Sequence, residues 1–169
     1  MNMDNIVTGT TGLIHLISSI IALITGLLVL TTTKGTTRHK KIGYIYVVSM
    51  VVLNLTAFMI YRLFGKFAIF HWFSVLSCLT LIGGMYPVLT KKSKNYILFH
   101  FNFMYWSVVG LYCAFCAEIL TRIPLMLNLP NTRGLFGALT GVSILIVMVI
   151  AIFIFAKMKP KWTKEYERE

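Results

Sequence analysis

The four histidines of this 169-residue chain are the side chains best suited to chemistry, and their spacing is regular. His15, His71 and His100 each lie near the start of a long apolar run, and His39 lies just ahead of another. If successive runs cross a membrane in opposite directions, the starts of alternate runs meet on the same side. His15 and His71 then form an outer pair and His39 and His100 an inner pair, roughly 20 Å apart along the bundle.

Paired histidines that face each other in the core of a helical bundle can hold haem iron by bis-axial ligation. The sequence therefore predicts two haem b sites, an outer one and an inner one. Haem also carries two carboxylates that need cations or water at the membrane edge. Lys34 and Arg38 flank the inner pair, and Arg62 flanks the outer pair. Gly43, one helical turn beyond His39, would let the macrocycle pass close to the backbone.

The outer residues also allow a non-haem metal site. Glu118 is the one acid inside an apolar run, and it lies near the depth of His15 and His71. Such sets of histidine and glutamate bind zinc with one position left open. Glu118 could instead pair with Arg122 or Arg62, or relay protons beside an outer haem or quinone. In a third interpretation, the histidines only donate hydrogen bonds between the helices of an accessory membrane subunit.

Two cysteines, Cys113 and Cys116, stand three residues apart in the fourth apolar run. This spacing puts both thiols on one face of a helix, where they could form a redox pair. Their apolar surroundings favour the other interpretation, that both are packing residues.

The composition places these residues in a membrane protein. The chain is 57% hydrophobic and 12% charged, with a mean hydropathy of +0.79, whereas about a quarter of the residues of a soluble domain are charged. Five apolar runs are long enough to span a bilayer as helices, at residues 13–30, 42–61, 67–89, 96–120 and 135–156. We expect an all-α integral membrane bundle with an antiparallel four-helix core and a peripheral fifth helix.

The connections between the runs are short, so the chain is expected to form a single transmembrane domain over residues 1–169. Its core covers residues 12–122, and a basic tail occupies residues 157–169. Helical spacing predicts which residues face the interior. They are His15, Ser18, Ala22 and Thr25 or Gly26 on the first helix; His39, Gly43, Tyr46, Met50, Asn54, Ala57 and Tyr61 on the second; His71, Ser74 and Cys78 on the third; and His100, Ser107, Ala114 and Glu118 on the fourth.

The net charge of +11 is distributed in a pattern typical of membrane topology. Twelve cations lie in the first turn, the third turn and the tail, and four lie in the second and fourth turns or at their helix ends. Positive residues favour the cytoplasmic side, so the N-terminus is predicted outside and the C-terminus in the cytoplasm. Short loops offer little surface for nucleic acid, which is not expected as a partner.

The pattern of Lys34-Gly35, His39, Gly43 and Tyr46 resembles a prokaryotic family of small polytopic membrane proteins whose function is unknown. The family pattern also contains histidines that correspond to His15, His71 and His100. The resemblance covers about residues 12–122 and leaves the fifth helix outside it. It implies a multi-pass protein of the prokaryotic cytoplasmic membrane, and it implies no activity.

A weaker resemblance is to the ascorbate-reducible two-haem b-type cytochromes. Those proteins also place histidine pairs on alternate helices, and the element Arg38-His39-Lys40-Lys41-Ile42-Gly43 is similar to one of their ligand segments. The resemblance implies transmembrane electron transfer through haem b, and hence an oxidoreductase with a quinone or redox partner. This chain has five predicted spans rather than six, and it contains no recognisable ascorbate-site motif. Lipid, a partner subunit or a second copy of the chain are the other expected partners.

Overall fold

The computed structural model describes residues 9–61, 65–126 and 132–166, with side chains for 9–61, 65–120 and 134–164. Arg62 lies outside the described residues, as do the side chains of Arg122 and Arg133. The described chain forms five α-helices: α1 Gly9–Thr31, α2 Thr37–Met59, α3 Ile69–Thr90, α4 Tyr96–Met126 and α5 Thr132–Tyr166. All five are long and apolar enough to cross a membrane.

Helices α1 to α4 form a ring, with α1 on α2, α2 on α3, α3 on α4 and α4 on α1. Among the described residues, the diagonal pairs α1–α3 and α2–α4 make no close backbone contact. Within the described chain, helix α5 makes its close backbone contacts with α4. The expected four-helix core with a peripheral fifth helix is therefore confirmed. Large apolar side chains cover the outside of the bundle, which is the surface that a lipid bilayer requires.

Helices α2 and α5 extend beyond their apolar runs into strongly basic sequence. Helix α2 begins at Thr37, where the Thr36 hydroxyl accepts a hydrogen bond from the His39 backbone N–H at 3.2 Å. This N-cap draws the basic residues before the apolar run into the first turn of the helix, so His39 belongs to α2 itself. Helix α5 continues through Pro160 to Tyr166, so much of the expected basic tail is helical.

The centre of the ring is filled by a cluster of buried apolar side chains: Ala22, Tyr46, Met50, Leu53, Leu81, Val108 and Leu111. Close packing here depends on Gly26, since a Cβ at that position would lie 3.1 Å from the Tyr46 ring and 3.3 Å from Val108. Small interior residues let helix backbones approach in this way. Most of the predicted interior stripes of α1 and α2 are confirmed by the burial of Ser18, Ala22, Thr25, Gly26, Tyr46, Met50 and Asn54. The prediction was wrong for Tyr61, which lies beyond the end of α2 and is 45% exposed.

A second cluster joins α4 to α5 and is largely aromatic. Its buried members are Phe101, Tyr105, Val109, Cys113, Ala151 and Trp162. The Tyr105 hydroxyl donates a hydrogen bond to the Ala151 carbonyl at 2.6 Å. Trp162 is 5% exposed, so the end of α5 is packed against the core.

Candidate histidine sites

His100 is held by a backbone oxygen of the neighbouring helix. Its Nδ1 lies 2.8 Å from the carbonyl oxygen of Gly84 on α3. A carbonyl can only accept, so Nδ1 carries the proton and Nε2 presents a lone pair. Gly84 is buried in the α3–α4 contact.

His39 is the other member of the inner pair. Its ring interacts with the Val29 carbonyl of α1. Its Nδ1 is buried and has no hydrogen-bond partner within the described part of the chain. The two inner histidines lie on the diagonal helices α2 and α4.

Lys34 is buried at the same end of the bundle as His39 and His100. It is 4% exposed, and its ammonium donates to the carbonyls of Val29 at 2.8 Å and Leu30 at 2.7 Å. The same ammonium lies 5.2 Å from the centre of the Trp162 ring. The sequence assigned Lys34 to a basic turn as a carboxylate partner, and the structure places it inside the protein.

His15, in the outer pair, contacts α2. Its Nδ1 lies 3.0 Å from the Thr56 hydroxyl oxygen. That hydroxyl has one proton, and the carbonyls of Val52 and Leu53 each lie 2.9 Å from it as acceptors. Thr56 therefore accepts from His15, whose Nδ1 carries the ring proton.

His71 has the opposite tautomer. It is 5% exposed, and its Nδ1 accepts from the Ala68 backbone N–H at 3.2 Å. The ring proton is then on Nε2, which is buried without a hydrogen-bond partner among the described residues. The rings of Tyr61 and Phe67 lie 4.7 and 4.8 Å from the His71 ring, centre to centre. Both outer histidines thus contact the end of α2 or the segment just beyond it.

These hydrogen bonds divide the four imidazoles by their readiness to bind iron or another metal. A metal-binding histidine usually donates its second N–H to an oxygen, which orients the ring. His100 and His15 already do so through Nδ1. His39 and His71 each have a buried ring nitrogen with no hydrogen-bond partner among the residues that the structure describes. Each predicted pair therefore contains one histidine of each kind.

Gly43 was expected to provide close backbone clearance beside the inner pair, and the structure does not show a tight contact there. A Cβ at Gly43 would meet only the Val29 side chain, at an ordinary 3.8 Å. The tight glycine of this region is Gly84, where a Cβ would lie 2.5 Å from the Met104 sulfur. Between the two pairs the core is filled, and the hydroxyls of Tyr46 and Ser107 join α2 to α4 at 2.9 Å.

The remaining predicted site residues are dispersed. Arg38 is exposed and lines an open cavity beside the α1–α2 turn. Glu118 is partly buried on α4, and the arginines predicted to pair with it have side chains outside the described set. No group of three or more His, Cys, Asp or Glu side chains within the described ranges could hold a metal ion. The structure thus does not assemble His15, His71 and Glu118 into one site.

The cysteines are free thiols: Cys113 is buried, and Cys116 is partly buried. Cys113 packs within the aromatic cluster between α4 and α5. This position agrees with a packing role for Cys113.

Four residues that matter at the histidine sites were not singled out as partners by the sequence: Thr56, Val29, Gly84 and Trp162. Two of them act through backbone carbonyls, which every residue has, so no side-chain pattern could indicate them. Trp162 lies in a charged segment that is typical of a membrane surface. A threonine within an apolar run, such as Thr56, was the one available signal.

Fold and site together define a helical membrane bundle with two histidines near each end. A family model described as a predicted membrane protein (DUF2306) matches residues 12–155. The chain therefore belongs to this family. The match extends through most of α5, so the expectation that the fifth helix lies outside the family is wrong. No curated protein and no solved structure matches the chain, and the likeness to two-haem cytochromes stays a prediction.

Proposed function

We propose that this protein is a small b-type membrane cytochrome that moves electrons through haem held by the inner and outer histidine pairs. The supporting observation is the hydrogen bonding of the ring nitrogens. In each pair one imidazole donates its Nδ1 proton to an oxygen. The other has a buried nitrogen without a partner in the described chain. A buried polar atom of this kind calls for an explanation such as a ligand or a water.

The residues fit haem most closely at the inner pair. His39 on α2 and His100 on α4, which lie on diagonal helices, are the residues that would hold the iron there. Bound haem supplies one-electron chemistry at iron. The Gly84 carbonyl orients His100, while exposed Arg38 at the mouth of α2 is available to a haem carboxylate.

The outer pair, His15 and His71, could also hold haem, provided that the ring proton of His71 moves first. The proton on His71 Nε2 must move to Nδ1 before Nε2 can bind a metal, because ligation requires a ring nitrogen with a free lone pair. The aromatic rings of Tyr61 and Phe67 lie against His71 and exclude water from this ring. Haem binding at the outer pair would therefore require a change of tautomer at His71 and the loss of its hydrogen bond from the Ala68 N–H.

The charge distribution supports an orientation for this electron path. The cation-rich turns and the end of α5 lie at the end of the bundle that holds the inner pair. The positive-inside rule then puts this end, and the C-terminus, in the cytoplasm of a prokaryotic cell. A quinone or a redox protein is the expected electron partner, and a partner subunit or a second copy could pack on the bundle.

An absorption spectrum of the protein purified in mild detergent, recorded before and after dithionite, tests the proposal. We expect sharp reduced α and β bands and two haems per chain. His100→Ala should remove the inner half of the signal and His71→Ala the outer half. Lys41→Ala and Trp72→Leu change exposed neighbours of the ligands and should retain both haems.

Metal analysis of the same sample separates the other outcomes. A featureless spectrum from cells supplied with haem would overturn the cytochrome proposal. Bound zinc or another divalent metal that is lost in Glu118→Ala would then assign the outer metal site. Absence of any cofactor, with all four histidine variants folded, would assign the histidines to helix packing in an accessory subunit.

A further inference from the structure

The end of the bundle that carries the α1–α2 turn has a strongly basic surface. Every lysine and arginine in segments 38–41, 91–94 and 157–164 has an exposed side chain. Glu118 is the one acid among the side chains that the structure describes, and it lies in the second half of α4, towards the other end of the bundle. No described acid therefore neutralises these cations, and the surface attracts anions.

The ring of Trp162 holds the basic segments at one end of the protein. Its centre lies 5.2 Å from the Lys34 ammonium in the α1–α2 turn. The Phe101 ring, near the start of α4, is also 5.2 Å away, centre to centre. Trp162 is 5% exposed, so the end of α5 is packed on the turn and on α4. The exposed cations of the three segments thus belong to one face of the protein.

A cavity of about 480 Å³ opens in this face where α1 ends and α2 begins. Its lining consists of Leu28, Thr31, Thr32, Thr33, Thr36 and Arg38. Leu28 belongs to the apolar run of α1 and is 41% exposed, whereas the rest of the lining is polar. A phospholipid has the same order of groups, with acyl chains first and then glycerol and phosphate. The end of an apolar run is also the level at which lipid headgroups lie.

The hydrogen bonds of the cavity show which groups it offers to a headgroup. The hydroxyls of Thr31 and Thr32 lie 3.1 and 2.7 Å from the Leu28 carbonyl, which accepts their protons. A hydroxyl has one proton, so these oxygens are left to accept. Arg38 is the cation of the lining, and a guanidinium binds two phosphate oxygens at once. The cavity thus combines a donor for phosphate with acceptors for headgroup hydroxyls.

From this lining and the charge around it we infer that the cavity between α1 and α2 binds the headgroup of an anionic phospholipid. Arg38 binds the phosphate, and exposed Lys40 and Lys41 in the same turn favour a headgroup with net negative charge over a zwitterionic one. The inference goes beyond the proposed function and requires no haem. The five N–H donors of Arg38 are enough for a phosphate and a haem carboxylate together, so the two proposals do not exclude each other.

Native mass spectrometry of the detergent-purified protein tests this inference, because it resolves each bound lipid, and any bound haem, by mass. The protein is titrated with phosphatidylglycerol or with phosphatidylcholine. We expect the first phosphatidylglycerol to bind more tightly than phosphatidylcholine. Arg38→Gln should raise its Kd about five-fold, the usual effect of one cation at an anionic surface. Thr33→Phe keeps every cation but fills the cavity, and it should also weaken binding.

Lys66→Gln is the matched control, since it removes an exposed cation from the opposite end of the bundle. It should leave the Kd of the first phosphatidylglycerol unchanged. Equal affinity for the two lipids would overturn the inference and leave the basic face to an acidic protein partner. Equal effects of Arg38→Gln and Lys66→Gln, or unchanged binding in Thr33→Phe, would show that lipid binds by general charge attraction and that the cavity is not its site.

Discussion

The imidazole of His100 and the carbonyl of Gly84 form a 2.8 Å hydrogen bond that joins α4 to α3. The bond lies at a close contact of the two helices, because a Cβ at Gly84 would overlap the Met104 side chain on α4. The missing side chain at residue 84 therefore helps to set the position of His100. This relationship makes a glycine on α3 part of the inner histidine site.

Gly84→Ala should destabilise the protein and disturb the inner site. The new methyl would lie 2.5 Å from Met104 Sδ and 3.3 Å from its backbone nitrogen, so the Met104 side chain must move and the contact between α3 and α4 must adjust. Overpacking of this kind costs about 1–3 kcal/mol, which thermal unfolding in detergent would detect. Gly110→Ala is the matched control, since nothing lies within 4 Å of a Cβ there. Equal stability of the two variants would contradict the close α3–α4 contact.

Tyr46→Phe should cost about 1 kcal/mol, the usual value of a buried hydrogen bond. The Tyr46 ring is fully buried, and its hydroxyl lies 2.9 Å from that of Ser107. Combining Tyr46→Phe with Ser107→Ala in a double-mutant cycle isolates the interaction, because each change removes one partner. Tyr44→Phe, at a tyrosine that is 57% exposed, should change the unfolding free energy little. Additive effects at positions 46 and 107 would exclude the hydrogen bond.

Lys91→Gly should raise the thermal stability. Lys91 caps α3 with φ at 51°, and it is the non-glycine residue with positive φ among the described residues. A side chain costs about 1–2 kcal/mol in this left-handed conformation, and glycine is the usual residue at such helix ends. Lys92→Gly removes the same charge from the next position and should bring no gain. A lower unfolding temperature for Lys91→Gly would be the contrary result.

Trp162→Ala should be among the more damaging single changes, with a loss of about 3–5 kcal/mol, as for other buried large aromatics. Its ring contacts Phe101 and Tyr105 of α4 and covers Lys34. Trp72→Ala removes an equally large ring that is 64% exposed and should cost much less. The comparison, made by thermal unfolding in the same detergent, tests whether the end of α5 is packed on the core. Similar losses for both variants would place Trp162 at the surface instead.

The elements of this fold are readable from the sequence because their signals are local. An apolar run of sufficient length predicts a spanning helix whatever its neighbours are. The 3.6-residue period then indicates its inner face, as with Ser18 and Ala22 on α1 or Tyr46 and Met50 on α2. The boundaries were less predictable, since the Thr36 cap and the helical end of α5 lie in polar sequence.

The sequence by itself determined the five spans, the four-helix core and the assignment of the histidines to two depths. Only the tertiary structure decided what each imidazole touches, because that depends on helix rotation and on backbone carbonyls that carry no sequence signal. In the structure His100 bonds the Gly84 carbonyl, and His39 and Lys34 both interact with the Val29 carbonyl. Close packing requires glycine at position 84, whereas the sequence predicted this for position 43. Lys34 became a buried charge for the same reason: the unpaired carbonyls at the end of α1 and the ring of Trp162 meet only in the packed bundle.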